Sequence, residues 1–117
     1  MSDISKHLEK AEKYLQRGKH EDALDEYLQV LDEQPSNQGV RQTAAELCVS
    51  LNRLSEAAGM FSPIFDSQTS IGDNARAVIT YKKLVRVGKP SLQQMLQFAH
   101  IQERTNRKEA LEPISIC

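Results

Sequence analysis

The stretch AEKYLQRGKHEDALDEYLQVLDEQP, residues 11–35, is answered 34 residues later by AELCVSLNRLSEAAGMFSPIFDSQT, residues 45–69. Ala11, Tyr14, Gly18, Ala23, Tyr27 and Pro35 return as Ala45, Cys48, Asn52, Ala57, Phe61 and Thr69, and the first half of the match keeps its chemistry position by position. A period of this size signals stacked helical hairpins. The centre of the echo is Ala-x3-aromatic, Ala23 to Tyr27 and Ala57 to Phe61, each 12 residues after another alanine. Small residues at fixed spacing let two helix backbones approach closely, and the aromatic ring fills the space beside them.

Outward from this core, Ser2 or Asp3 can cap a first helix running to about Arg17, with Ile4, Leu8, Ala11 and Leu15 on one stripe. Gly18 ends it. The acids of Lys19-His20-Glu21-Asp22 open a second helix at its positive end. That helix carries Ala23, Leu24, Tyr27, Leu28, Val30 and Leu31 and stops before Gln34-Pro35-Ser36. A third starts at Asn37, with Val40, Ala44, Ala45, Leu47, Cys48 and Leu51 on its apolar face, and turns at Asn52-Arg53. The fourth begins near Ser55 and offers Ala57, Ala58, Phe61, Ile64 and Phe65, but Pro63 inside it predicts a kink or a break. Gly72 precedes Ala77 and Tyr81 by the spacings that separate Gly18 from Ala23 and Tyr27. A further helix over Asn74–Val87 then shares the fourth helix as its first arm. Gly88-Lys89-Pro90 is a stop, and Ser91 caps a sixth helix with Leu92, Met95, Leu96, Phe98, Ala99 and Ile101 on its apolar face. A turn at Thr105-Asn106 leads to a short helix start at Arg107–Leu111 that Pro113 cuts off, leaving Leu111, Ile114 and Ile116 uncovered.

The expected fold is all-α: a right-handed superhelical array of antiparallel helix hairpins, with about six to seven helices. Residues 1–117 are read as a single domain, with hairpins at about 4–34, 37–66 and 55–88, the last merged with its predecessor, and an incomplete one at 91–112. No sustained period-2 alternation marks a strand.

Composition agrees with a single folded domain. The chain of 117 residues is 26% charged and 39% hydrophobic, with net charge −1, which favours neither disorder nor general attraction to nucleic acid. The charge is unevenly spread: residues 1–60 hold eleven acids and seven bases, residues 61–117 five acids and eight bases. The polar stretch after Met1 lacks the apolar run of a signal peptide, and no segment is long and apolar enough to span a membrane, so the expected location is cytoplasmic. Cys48 falls on a buried face and Cys117 is terminal, so the two read as a core hydrophobe and a free thiol rather than a disulfide framework.

At these residues the chain resembles the tetratricopeptide repeats over roughly residues 4–112. Ala11, Tyr14, Gly18, Ala23, Tyr27 and Pro35 occupy the family's characteristic slots, while His7 and Lys10 stand where the family usually has tryptophan and leucine. The second unit keeps Ala45, Ala57 and Phe61 without the glycine and the closing proline. The resemblance implies a non-enzymatic protein-interaction module or scaffold, holding a peptide or partner helix in a groove lined by the first helix of each hairpin. The residues expected there are Leu8, Glu12 and Gln16 on the first helix, Gln42, Glu46 and Ser50 on the third, and Gln93, Leu96, His100 and Arg104 on the sixth. One subtype of the family clamps acidic peptide C-termini with basic side chains. Here Leu8, Glu12 and Thr43 occupy those slots, and Glu12 repels a carboxylate.

Catalytic and cofactor chemistry finds no foothold. His7, His20 and His100 form no i, i+4 metal pair, neither cysteine belongs to a CxxC, and there is no glycine-rich phosphate loop or serine elbow. The acid pairs Glu21-Asp22, Asp25-Glu26 and Asp32-Glu33 sit on the solvent side of a helix. No catalytic residue, metal or cofactor is therefore expected, and the partner is a protein or peptide whose identity the sequence does not specify. Two alternatives accompany this reading. One is self-association through the C-terminal end, giving a homo-oligomer. The other, weaker one is RNA binding by Arg76, Lys82, Lys83, Arg86, Lys89, Arg104, Arg107 and Lys108, which lack interleaved aromatics.

Overall fold

The computed structural model describes the backbone of residues 2–116 and the side chains of residues 3–105. Six helices follow one another: α1 (Ser2–Gln16), α2 (His20–Glu33), α3 (Gln38–Ser50), α4 (Leu54–Ser70), α5 (Asn74–Val87) and α6 (Leu92–Ile116). Among the described residues there is no strand. Each helix packs on the next in sequence. The result is elongated, with extents of 56 × 27 × 24 Å and a radius of gyration of 17.3 Å, against about 13 Å for a compact domain of this length.

Three of the five connections are the same turn. In each, a left-handed residue follows the helix: Gly18 (φ 74°), Asn52 (φ 60°) and Gly72 (φ 78°). The next amide reaches back five residues, Lys19 N to Tyr14 O at 2.8 Å, Arg53 N to Cys48 O at 2.8 Å and Asp73 N to Gln68 O at 2.9 Å. A shorter bond lies inside it, such as Gly18 N to Leu15 O at 3.1 Å. This pair of bonds satisfies the last helical carbonyls and reverses the chain within three residues. Asn52 adopts the conformation that glycine adopts in the other two turns. Asn52→Ala should therefore lower stability by about 1 kcal/mol while Asn52→Gly leaves it within about 0.5 kcal/mol, as read by urea unfolding.

The α2–α3 and α5–α6 links use caps instead. Asn37 Oδ1 accepts from the Val40 amide at 3.1 Å. Ser91 Oγ accepts from the Gln94 amide at 3.1 Å while Gln94 Oε1 accepts from the Ser91 amide at 2.9 Å, a reciprocal capping box. Tight reversals thus stand at both ends of α4, which packs on α3 before it and α5 after it.

The repeat register becomes the core. Ala11, Ala23, Ala45 and Ala57 are all fully buried, with Tyr27, Phe61 and Cys48 beside them. A second cluster joins Phe65, Ala77 and Ile101 with Val78, Tyr81 and Phe98. There Tyr81 lies 5.5 Å from Phe65 and stacks on Phe98 at 4.0 Å, with the Tyr81 and Phe98 rings 7° apart.

Several expectations are overturned. Of the kink or break expected at Pro63, the break does not occur, since α4 runs through it. The proline leaves the carbonyl of Gly59, four residues back, without its amide, but Gly59 is exposed and has open space where a Cβ would be, so water can serve that oxygen. Nor is there a turn at Thr105-Asn106 or a separate seventh helix start: α6 continues to Ile116, past Pro113. Thr105 Oγ1 donates to the Ile101 carbonyl at 3.0 Å, so the polar residue is accommodated inside the helix. The apolar face assigned to the sixth helix is also corrected. Leu92, Met95, Leu96 and Ala99 face solvent, and the inward side is Gln94, Phe98 and Ile101. Gln94, only 4% exposed, donates from Nε2 to Ser62 Oγ at 2.8 Å and Asp66 Oδ1 at 3.0 Å, pinning α6 to α4 by polar bonds. The side chains of Arg107, Lys108, Leu111, Ile114 and Ile116, and all of Cys117, lie outside the described residues.

Candidate protein-binding groove

Helix α3 meets α1 on one flank and α5 on the other. On one flank of α3, Glu46 and Ser50 meet Leu15 of α1 in a cleft of about 220 Å³. On the other flank the same two residues, with Val49, face Lys83, Arg86 and Val87 of α5 across a cleft of about 300 Å³ floored by Phe61. Farther along this seam Gln42 and Gln68 meet Arg76, Ile79 and Thr80 in a third cleft of about 430 Å³. Lys83 Nζ lies 3.5 Å from Glu46 Oε2, an ion pair between α5 and α3. The even helices carry their own polar seam: Gln93 and Gln97 of α6 face Asp66 and Thr69 of α4 across about 330 Å³.

Of the groove residues expected from the sequence, Gln42, Glu46 and Ser50 each line a cleft along α3. Gln93 lines the α4–α6 cleft instead. Leu8 is half-buried against the core, while Glu12 and Gln16 are exposed on α1. Leu96, His100 and Arg104 are exposed on α6, and none of these six lines the four clefts. The third helix of the row is α5, not α6, because the reversal at Gly72 returns the chain alongside α3. Arg76, Ile79, Lys83 and Arg86 line clefts beside α3 and are not among the residues expected from the sequence, although one more 34-residue step from Gln42 lands on Arg76, which shares its cleft.

The row is the architecture that the 34-residue period prescribes, and the tetratricopeptide repeat family model matches residues 14–77, more than half of the chain. The chain belongs to the tetratricopeptide repeat family. The matched span covers α2, α3 and α4 and the tight turns at Gly18, Asn52 and Gly72. No curated protein matches the chain. Tetratricopeptide repeats are protein-interaction modules as a class and are generally not catalytic.

The departure of this tetratricopeptide chain at His7 has a structural counterpart. His7 Nδ1 lies 2.6 Å from Glu26 Oε1, both side chains less than a quarter exposed, so a polar bond ties α1 to α2. Electrostatics elsewhere are local. Arg53 holds Glu56 in a two-pronged bond at 2.8 Å, which lowers the Glu56 pKa and raises that of Arg53. That bond helps most above the ordinary glutamate pKa and is lost as pH falls through the lowered value. Burial pushes the Cys48 thiol up, with the Glu56 carboxylate adding to it, so it is inert packing rather than a nucleophile. Tyr27 is raised by burial and by Glu12. Among the described residues no group of three His, Cys, Asp or Glu is placed to hold a metal, and no helix is long and apolar enough to cross a membrane.

Proposed function

We propose that this chain is a non-enzymatic interaction module that receives a peptide or partner helix along the row formed by α1, α3 and α5. The observation that carries this reading is that Glu46 and Ser50 line open clefts on both flanks of α3. A repeat array spends the inward sides of its helices on their neighbours, so the free side of alternate helices is left as a ladder of side chains at regular spacing. The free, buried Cys48 thiol agrees with a reducing compartment such as the cytoplasm.

Of the other readings, RNA binding lacks exposed aromatic platforms: Tyr81 is stacked on Phe98, and Phe61 and Phe65 are buried. Self-association rests on the exposed Leu92, Met95 and Leu96 stripe, with Phe98 and Ile101 withdrawn from it into the second cluster.

Photo-crosslinking tests the groove directly. A photoreactive side chain at Ser50 should yield a discrete crosslinked partner in the source cell, and the same group at Asp32, exposed on α2, should not. Crosslinking from Asp32 with none from Ser50 would move the binding face to the even helices.

A further inference from the structure

Helix α5 carries Arg76, Lys82, Lys83 and Arg86 and no acid. At helical spacing these four and Ile79 share one side, and Arg76, Ile79, Lys83 and Arg86 all line the α3–α5 seam. Their charge is poorly answered among the described residues. Lys83 meets Glu46 at 3.5 Å with 34% and 55% of the side chains exposed, and Arg76 meets Asp73 at 3.5 Å with Arg76 77% exposed. Surface pairs of this kind are weak, so an incoming carboxylate displaces them at little cost. Lys82 and Arg86 make no ion pair among the described residues. Beside Lys83 and Arg86 the cleft has an apolar part made by Val49, 42% exposed, with Phe61 and Val87, while Ile79, 54% exposed, stands beside Arg76 in the neighbouring cleft.

The geometry points to an acidic amphipathic segment of a protein partner as the occupant of the α3–α5 seam, an inference that rests on the groove reading above. Its carboxylates lie along Arg76, Lys83 and Arg86, and an aliphatic side chain between them enters the Val49–Phe61–Val87 cleft. The mixture selects protein over nucleic acid. Glu46 opposes a phosphate and a carboxylate alike, so the discrimination rests on the apolar floor, from which a phosphate backbone gains nothing, and on the aromatic rings, none of which is exposed among the described residues for a base to stack on. The contribution of α5 is also independent of the clamp slots on α1, where Glu12 disfavours an acidic ligand.

The probe is a short fluorescein-labelled peptide of repeated Asp-Leu-Glu units, titrated with the full chain by anisotropy at low salt. Saturable binding that weakens as salt rises is expected. Lys83→Glu with Arg86→Glu should weaken it about tenfold or more, and Val49→Asp should weaken it by a comparable factor. Lys10→Glu with Lys13→Glu, the same charge change on exposed α1 positions, should leave affinity within about twofold. Thermal melts of each variant confirm that the fold persists, and the exposed Arg76→Glu serves if the Lys83 and Arg86 pair unfolds. Equal loss in the α1 control, no binding of the peptide, or tighter binding of a labelled uridine oligonucleotide overturns the inference. A partner crosslinked from Ser50 alongside a failed peptide titration leaves the groove reading standing and removes only the acidic ligand.

Discussion

Phe65→Ala is expected to cost about 3–5 kcal/mol, the range for emptying a fully buried phenylalanine site, and to lower the melting temperature by roughly 10 °C or more. Phe65 is fully buried on α4 and is the residue through which α4 reaches the Tyr81–Phe98 stack. Its cluster, with Ala77 and Ile101, is separate from the larger one formed by α1 to α4 and Leu84. The damage should therefore concentrate at α5 and α6, and hydrogen exchange should show their amides opening while those of α1 and α2 stay protected. Phe65→Leu, which keeps most of the volume, should cost less than about 1.5 kcal/mol. A Phe65→Ala chain that melts within a few degrees of its parent would show that the second cluster does not hold the C-terminal helices.

The second large effect is at Gly88. Its backbone is extended, φ −167° and ψ −162°, a conformation open to any residue, so the requirement for glycine is not conformational. A Cβ built there falls 2.7 Å from the Cβ of Ala58 on α4. Neither atom can swing aside, since each is fixed to a backbone, and the link between α5 and α6 must move away from α4. Gly88→Ala should cost about 1–3 kcal/mol. Ala58→Gly by itself should cost about 1 kcal/mol as a glycine inside a helix. Together they should cost less than their sum, because the second change removes the clash created by the first. Strict additivity in denaturant unfolding would show that the close approach is not what makes Gly88 necessary.

The groove was half legible before the structure. Glu46 and Ser50 line clefts on the side of α3 that the sequence leaves free, because there face and register follow from the buried Ala45 and Cys48. On α6 the reading failed for a physical reason. Leu92, Met95, Leu96 and Ala99 look like a core stripe at helical spacing, and Phe98 and Ile101 belong to the same helix on an adjoining side. Hydropathy cannot choose between two adjacent apolar sides when the winning contact is made by a glutamine. Gln94 binds Ser62 and Asp66 across 28 to 32 residues of sequence, and no local pattern announces that pairing.

What the sequence by itself determined is everything that depends on neighbours along the chain. The 34-residue period, the left-handed turns after α1, α3 and α4, the caps at Asn37 and Ser91, and the alanines that permit close helix approach are local or periodic properties. They fix an all-helical hairpin array. The tertiary structure decided which helix stands beside which. α5 joins α3 because α4 is reversed at both ends, α6 is held to α4 by buried polar bonds, and Pro63 and Thr105 are absorbed into helices that packing, water and side-chain bonds sustain. A turn or a cap is settled within about six residues, whereas the choice of packing partner is a competition between distant surfaces. That competition gave this chain a basic, apolar-floored seam between α3 and α5.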